Sequence, residues 1–513
     1  MKQLIKTYII GLFIGCSSLF SCVELDPVDY SEISPSNFPK TEEDLKALVL
    51  SCYYPLRAAW WDGIHTTSER GVMYILDATT EILTQAWGPA QICSQLNFFP
   101  QTSDVTWFYY TRSEPNGYSN KISRCTLTLD QIQKSDVSDK LKEQYGAEVR
   151  CARGMLSYIL FDMYGPLVVA PLELLSRPLD EQALPRLSHE EMVKFIEEDL
   201  LYAAEHLPLP GKAEYGKFSK GLAKMLLIRL YLHETVNDKS YYNKVETLAR
   251  ELMSSDYGYQ LMDSYPKMFE LNGQGSGNKE IIWAIPCSYE GPNNNQWHLM
   301  ALPTDFKQNG MNPGWGSVLS TWWFYETFEP NDTRKTYLLA EYTNSSGETV
   351  TRNTPSSPIG LGPIPMKYGY DPETAGSGGY TSIDIIIYRY ADVLLSLAEA
   401  LIMKPGAGRG EMIEALSYVN QVRKRANLTD LSINNMDTQE KFIDQLLTER
   451  SHEFWCENGQ YRADLIRHNK FIERAVEVTQ TPYASKYKEL FPLPLVVITD
   501  GKGAVKQNPG YGI

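Results

Sequence analysis

From Val149 to Met163 the apolar residues Val149, Ala152, Leu156, Ile159, Leu160 and Met163 recur three or four positions apart, and Gly165-Pro166 then ends the run. That spacing lays one apolar stripe along a helix, and glycine followed by proline stops it. The pattern returns along the chain. Phe195, Leu200, Ala203 and Leu207 mark a second helix, and Leu222, Met225, Leu226, Arg229 and Leu230 a third. Tyr390, Val393, Leu394, Leu397 and Leu401 mark another, followed by Met412, Leu416, Val419 and Val422. Before Phe442, Leu446 and Leu447, Asp437 with Glu440 three residues on reads as an N-cap and capping box. Helices that follow each other this closely pack as hairpins.

Between about residues 257 and 385 the texture changes to Gly, Pro, Asn, Ser and aromatics, with short apolar runs such as Ile281, Ile282 and Trp283 that predict strands. A second aromatic, loop-like stretch runs from Trp60 to Tyr110. Both interrupt a helical scaffold expected over about 22–256 and 386–513. Long loops on a rigid frame are where binding usually resides.

The 513 residues carry 48 Lys and Arg against 63 Asp and Glu, a formal charge of -15, without a basic block. Nucleic acid is therefore not an expected partner, and neither is direct attraction to an anionic membrane surface. Membrane attachment has to come from elsewhere. Lys2 and Lys6 precede an apolar run from Tyr8 to Ile14, too short to span a bilayer, which reads as an export signal over residues 1–21. It ends in Leu19-Phe20-Ser21-Cys22, similar to the bacterial lipobox, so Cys22 is the expected lipidation site. Cys16 after Gly15 is the rival, but cleavage there would leave a very short apolar core. Cys52, Cys93, Cys125, Cys151, Cys287 and Cys456 are scattered, without metal-type spacing, and read as buried small side chains; an exported protein can form a disulfide, but a chain of this size does not need one to fold.

No catalytic constellation is legible. The histidines are dispersed, with no His-Glu-x-x-His, and there is no Gly-x-Ser-x-Gly elbow, phosphate loop or dinucleotide loop. Neither catalytic residues, a metal site nor a cofactor is expected. Glycan hydrolysis would need two carboxylates about 5 to 10 Å apart, which a sequence does not display.

Several blocks resemble the SusD/RagB family. They begin with Cys22 and Leu25-Asp26-Pro27, and continue with Ala152-Arg153 through Tyr164-Gly165-Pro166-Leu167 and with Gly216-Lys217-Phe218-Ser219-Lys220-Gly221. Then come Tyr388-Arg389-Tyr390-Ala391-Asp392 with Ala398-Glu399-Ala400, Asn420-x-Val422-Arg423-x-Arg425-Ala426, Glu449-Arg450, Glu453-Phe454 and Arg462-x-Asp464-Leu465. Leu490-Phe491-Pro492-Leu493-Pro494 and Gln507-Asn508-Pro509-Gly510-Tyr511 close the chain. The resemblance implies an all-α fold of stacked helix hairpins of tetratricopeptide type with an irregular loop-rich subdomain, forming one domain over 22–513. No 34-residue period is visible in the sequence itself. The resemblance further implies a surface lipoprotein of the outer membrane. Such a protein captures oligosaccharide or polysaccharide for a SusC-like TonB-dependent barrel and is not an enzyme. A helical protein-interaction scaffold and an exported carbohydrate-active enzyme are the alternatives. Arg389, Asp392, Glu449, Arg450, Glu453, Arg462 and Asp464 are expected to form structural ion pairs.

Sugar C–H faces stack on aromatic rings, while sugar hydroxyls seek amide, carboxylate and guanidinium partners. Trp60, Trp61, Trp87, Trp107, Trp283, Trp297, Trp315, Trp322 and Trp323 all lie in the two loop-rich stretches. Trp87, before Gly88-Pro89, stands where SusD-like proteins carry a stacking aromatic. Trp297, after Asn293-Asn294-Asn295-Gln296, and Trp315, in Gly314-Trp315-Gly316, match a second aromatic-bearing loop. Each fits half-buried packing equally well. Asp77 and Arg70 are the expected hydroxyl partners, with a helix or turn contact the other reading of Asp77. Trp322 and Trp323, ahead of Phe324, Tyr325 and Phe328, read as core, as do Trp283 and Trp455.

Overall fold

The computed structural model describes residues 38 to 512 apart from 40, 60–61, 85–87, 111–116, 178, 180–181, 309, 375–378 and 437. The chain divides into two compact units, Met1–Leu45 and Lys46–Ile513. In the first, the backbone N–H of Asp44 donates to Thr41 Oγ1 and that of Thr41 to Asp44 Oδ2, a reciprocal cap that opens α1 (Glu42–Tyr53).

The second unit is built on long helices. After the short α2 (Val72–Ala78) come α3 (Ser119–Lys134), α4 (Asp139–Tyr164), α5 (His189–His206), α6 (Lys220–Glu234) and α7 (Tyr241–Leu252). Two short helices follow, α8 (Trp297–Ala301) and α9 (Trp322–Thr327). The series ends with α10 (Tyr390–Met403), α11 (Arg409–Arg425), α12 (Gln439–Phe454) and α13 (Gln460–Arg467). Each of α3 to α6 packs on its successor, α7 packs on α10, and α10 on α11, which is the stacked-hairpin architecture.

Polar caps set the helix starts. Ser138 accepts from Leu141 N before α4, and Ser219 from Leu222 N before α6. Ser188 and Glu191 form a full capping box before α5. Before α12 the cap is Thr438, which accepts from Lys441 N. The sequence expectation was Asp437, which lies outside the described residues; Thr438 stands three residues before the N–H that needs a partner. The stop at Gly165 has a positive φ of +73°, and a Cβ there would lie 2.9 Å from Arg186 Nη2.

In chain order the strands are β1 (Leu83–Thr84), β2 (Ile281–Ile285), β3 (Leu319–Ser320), β4 (Leu338–Leu339), β5 (Glu341–Thr343), β6 (Thr349–Thr351), β7 (Ile364–Pro365) and β8 (Ile385–Arg389). All pair antiparallel in twos: β1 with β3, β2 with β8, β4 with β7 and β5 with β6. Ile281 lies opposite Arg389 and Ile285 opposite Ile385, so β2 and β8 clamp the two ends of the irregular segment together. Every residue of both strands is buried.

Below that clamp the core holds charge. Arg389 donates to Glu457 and to Glu280 Oε1 (2.9 Å), and also reaches Glu453. Arg334 binds Asp332 (2.7 Å), Glu449 (2.7 Å) and Glu453 (2.9 Å), while Arg425 spans Glu280 and Glu453. Lys367 donates to Glu457 Oε1 at 2.6 Å. A second cluster joins Arg450 to Asp464 (2.6 Å) and Asp392 (2.9 Å), and Arg467 to Asp464 and Glu399. These buried pairs come from the helices and from the irregular segment alike, and they fix one register between the two. Arg462 departs from expectation: it donates to the carbonyls of Lys488 (3.0 Å) and Glu489 (2.9 Å), with its guanidinium over the Phe471 and Phe491 rings.

Candidate functional site

A helix ends with carbonyls that lack partners inside the helix. At the end of α8 those acceptors are met by the segment that follows Gly314. Trp315 N donates to Leu299 O (2.7 Å), Gly316 N to Leu302 O (2.8 Å) and Ser317 N to Met300 O (2.8 Å). The approach is too close for a side chain at 314, where a Cβ would stand 2.6 Å from His298 O and 2.7 Å from the carbonyls of Leu299 and Leu302. Glycine at 314 thus lets the backbone dock, and docking presents the Trp315 ring with 36% of the residue exposed.

His298 and Leu302, whose carbonyls face this segment, also line a depression with Met311, Asn312, Tyr370 and Asp371. Tyr370 is 37% exposed, and its hydroxyl lies 2.8 Å from where a Cβ on Gly310 would be. Asp371 is buried and shapes the rim, accepting from Glu373 N (3.1 Å) and Ser382 N (2.8 Å). His298 is buried with Nε2 3.0 Å from Tyr368 O, and burial lowers its pKa, keeping the ring neutral. The Trp315 indole and the Tyr370 phenol are both exposed, and exposed aromatic rings are suited to stacking on sugar. Tyr370 and Asn312 were not singled out from the sequence. Tyr370 does carry the mark that identified Trp315, an aromatic next to glycine in a loop, here Gly369-Tyr370.

The other expected site residues fall elsewhere. Trp297 is wholly buried: its indole N–H donates to Pro365 O at 2.6 Å, and its ring meets Tyr74 and Tyr368. No face of it is open to a sugar, so it anchors α8 from within. The preceding amide, Asn295, is also structural: it accepts from Trp297 N (3.0 Å) and donates to Ile383 O (3.2 Å). Asp77 is 1% exposed and accepts from Cys456 N at 2.8 Å, holding a non-glycine residue with φ of +54°. Burial pushes its carboxyl up to about 7. It serves the turn after α12 and does not face solvent. Arg70 is half-buried, with its guanidinium 5.6 Å from the centre of the Trp107 ring. Trp87 and Cys22 lie outside the described residues.

Trp322 and Trp323 correct a second expectation. Successive helical residues point about 100° apart, and in α9 Phe324 takes the inward direction. Both tryptophans are left partly exposed. The Trp322 indole N–H donates to Gly360 O (3.0 Å), and Arg474 lies over the Trp323 ring. Trp283 and Trp455 are buried as expected.

Residues 332–511 match the model of the SusD family, a span that runs from the Asp332–Arg334 pair to the last aromatic of the chain. Over 539 aligned positions covering 100% of both chains, the sequence is 24% identical to SusD-like protein P2 of Formosa agariphila. The matched span, residues 332–511, belongs to the SusD family, and the chain as a whole is similar to SusD-like proteins. A second SusD-family relative is the starch-binding protein SusD of Bacteroides thetaiotaomicron, 22% identical over 492 residues, 83% of this chain and 82% of that one. Among solved structures, surface glycan-binding protein A from Bacteroides thetaiotaomicron in complex with laminarihexaose superimposes with a TM-score of 0.72 at 20% identity. That match covers 91% of this chain and 100% of the other, and establishes the SusD fold here.

Proposed function

We propose that this SusD-like chain is a surface glycan-binding lipoprotein that captures oligosaccharide and passes it to a SusC-like TonB-dependent barrel in the outer membrane. The observation that carries the reading is Trp315, an exposed indole locked by its backbone to the end of α8. Trp87 is the second proposed stacking ring. The β1–β3 register supports it: Thr84, three residues before Trp87, pairs with Leu319, four residues after Trp315. Relatives described as starch-binding and as complexed with laminarihexaose support a glycan as the ligand class.

Removal of residues 1–21 leaves one SusD-like domain over 22–513 with Cys22 as the acylated first residue. Two or three acyl chains hold a protein stably on a membrane where one does not. Among the described residues no helix is long and apolar enough to cross a membrane. Titration of the purified chain with maltohexaose, laminarihexaose and a panel of plant, host and microbial polysaccharides tests the binding claim. Recovery of a large barrel with the tagged protein from mildly solubilised membranes tests the partnership. Saturable binding to at least one glycan without its cleavage is expected; absence of binding across the panel, with a non-barrel protein recovered instead, contradicts the reading.

A further inference from the structure

Ser51 at the end of α1 accepts a hydrogen bond from Arg124 Nε on α3 at 3.0 Å. The next residue on each helix is a cysteine. Cys52 and Cys125 are both free and buried, Cys52 Sγ donates to Leu48 O at 3.6 Å, and each thiol perturbs the other. We propose that Cys52 and Cys125 join as a disulfide that closes residues 53–124 into a covalent loop. That loop contains α2, Arg70, β1, Trp87 and Trp107, the whole of the first aromatic stretch, so the bridge would hold the base of the proposed platform on the helical frame.

The two thiols are unequal. Cys125 pulls the Cys52 thiol below its ordinary value against the opposing effect of burial, helped by Thr128, Arg124 and Ser51. Cys52 and burial push Cys125 up. Cys93, Cys151, Cys287 and Cys456 are pushed up as well, chiefly by burial. Thiolate is the nucleophile in disulfide exchange. Cys52 thiolate therefore attacks a disulfide oxidant, forming a mixed disulfide and releasing one thiolate. Cys125 then loses its proton and attacks Cys52 Sγ, expelling the second thiol. Two protons and two electrons pass to the oxidant, which leaves as two thiols. The bridge persists in the cell only if the chain is exported, as proposed above, because cytoplasmic thiols are kept reduced.

The experiment is non-reducing peptide mapping of the full chain, in two samples trapped with iodoacetamide. One is extracted from cells; the other is refolded with oxidised and reduced glutathione. The expected result in both is one linked pair of peptides containing Cys52 and Cys125, with the other described cysteines alkylated. Reduction of the wild type then lowers its thermal midpoint by roughly 2–5 °C, while a Cys52→Ala/Cys125→Ala variant does not respond to reductant. A bridge in the refolded sample alone upholds the pairing and overturns the export reading. Alkylation of both cysteines in both samples, or a bridge from either one to another cysteine, overturns the proposal.

Discussion

Arg389 and Glu457 meet at two points deep in the protein, Nε to Oε2 at 2.8 Å and Nη2 to Oε1 at 2.7 Å, with side chains 1% and 2% exposed. Arg389 closes strand β8, and Glu457 follows α12, so the pair ties the base of the irregular segment to the helical stack. Burial by itself would raise the carboxyl of neighbouring Glu453, but Arg425, Arg389 and Arg334 outweigh it and hold that group far below its ordinary range. Arg389→Met removes one cationic partner from each of three buried carboxylates, those of Glu280, Glu453 and Glu457. It should cost about 3 to 5 kcal/mol in urea unfolding, since removing one partner leaves uncompensated buried charge. A loss below about 1 kcal/mol would show that the network is not what joins the two parts.

Asp77 gives the protein a pH dependence. Its carboxyl is raised from 3.8 to about 7 by burial, so the folded state binds its proton more tightly than the unfolded state does. The resulting stabilisation is complete below about pH 4 and is lost as pH rises through 7. Asp77→Asn keeps an acceptor for Cys456 N and does not ionise. The variant should gain about 2 to 4 kcal/mol on wild type between pH 4 and pH 8, read from unfolding midpoints at the two pH values. Parallel pH profiles for the two proteins would contradict the assignment.

Glu234, paired with His189, contributes in the opposite direction at low pH. His189 Nε2 lies 2.7 Å from Glu234 Oε2, and that hydrogen bond raises the His189 pKa. Burial opposes ionisation of Glu234, but its bonds to His189 and His233 take it to about 2. The Glu234 contribution is present above about pH 4.5 and is lost toward pH 2; the His189 contribution is present below 6.5 and is lost as pH rises past its folded value. The half-exposed His189 limits its share to about 1 kcal/mol or less. Glu234→Gln should return the His189 titration, followed by NMR, to the ordinary histidine range. An unmoved titration would mean that the carboxylate does not set it.

The helices and their partners were legible where one residue pattern has one physical solution. The Val149–Met163 stripe with Gly165-Pro166 allows little but a helix with that end, and the arginines and carboxylates of the motif blocks, buried together, have to pair. The site was less legible because exposure depends on tertiary packing. Trp297 and Trp315 both stand in polar, glycine- or asparagine-rich sequence, yet one is sealed beneath Pro365 and the other is carried on the α8 carbonyls. Asp77 reads as a polar residue near an aromatic loop, and only the fold reveals Cys456 N above it. Arg462 was grouped with ion-pairing residues by type, while its partners are carbonyls, which have no signature in side-chain sequence.

Gly314 offers a test that leaves every ring intact. A methyl group there meets three carbonyl oxygens at 2.6–2.7 Å, so Gly314→Ala must displace the Trp315 segment from α8. Glycan affinity should fall by roughly 5-fold or more while Trp315 is still present, and the intrinsic tryptophan emission should shift. Unchanged affinity would separate the backbone clamp from binding.

The central claim is that Trp315 binds glycan whereas Trp297 holds the fold. It is tested most directly by calorimetric titration of wild type, Trp315→Ala and Trp297→Ala with the tightest-binding member of the glycan panel, alongside thermal unfolding. Trp315→Ala should weaken binding by about 1 to 3 kcal/mol, roughly 5- to 150-fold, with an unchanged thermal midpoint. Trp297→Ala should destabilise folding by about 3 to 5 kcal/mol. Full affinity in Trp315→Ala, or a large fall in its thermal midpoint, would contradict the account.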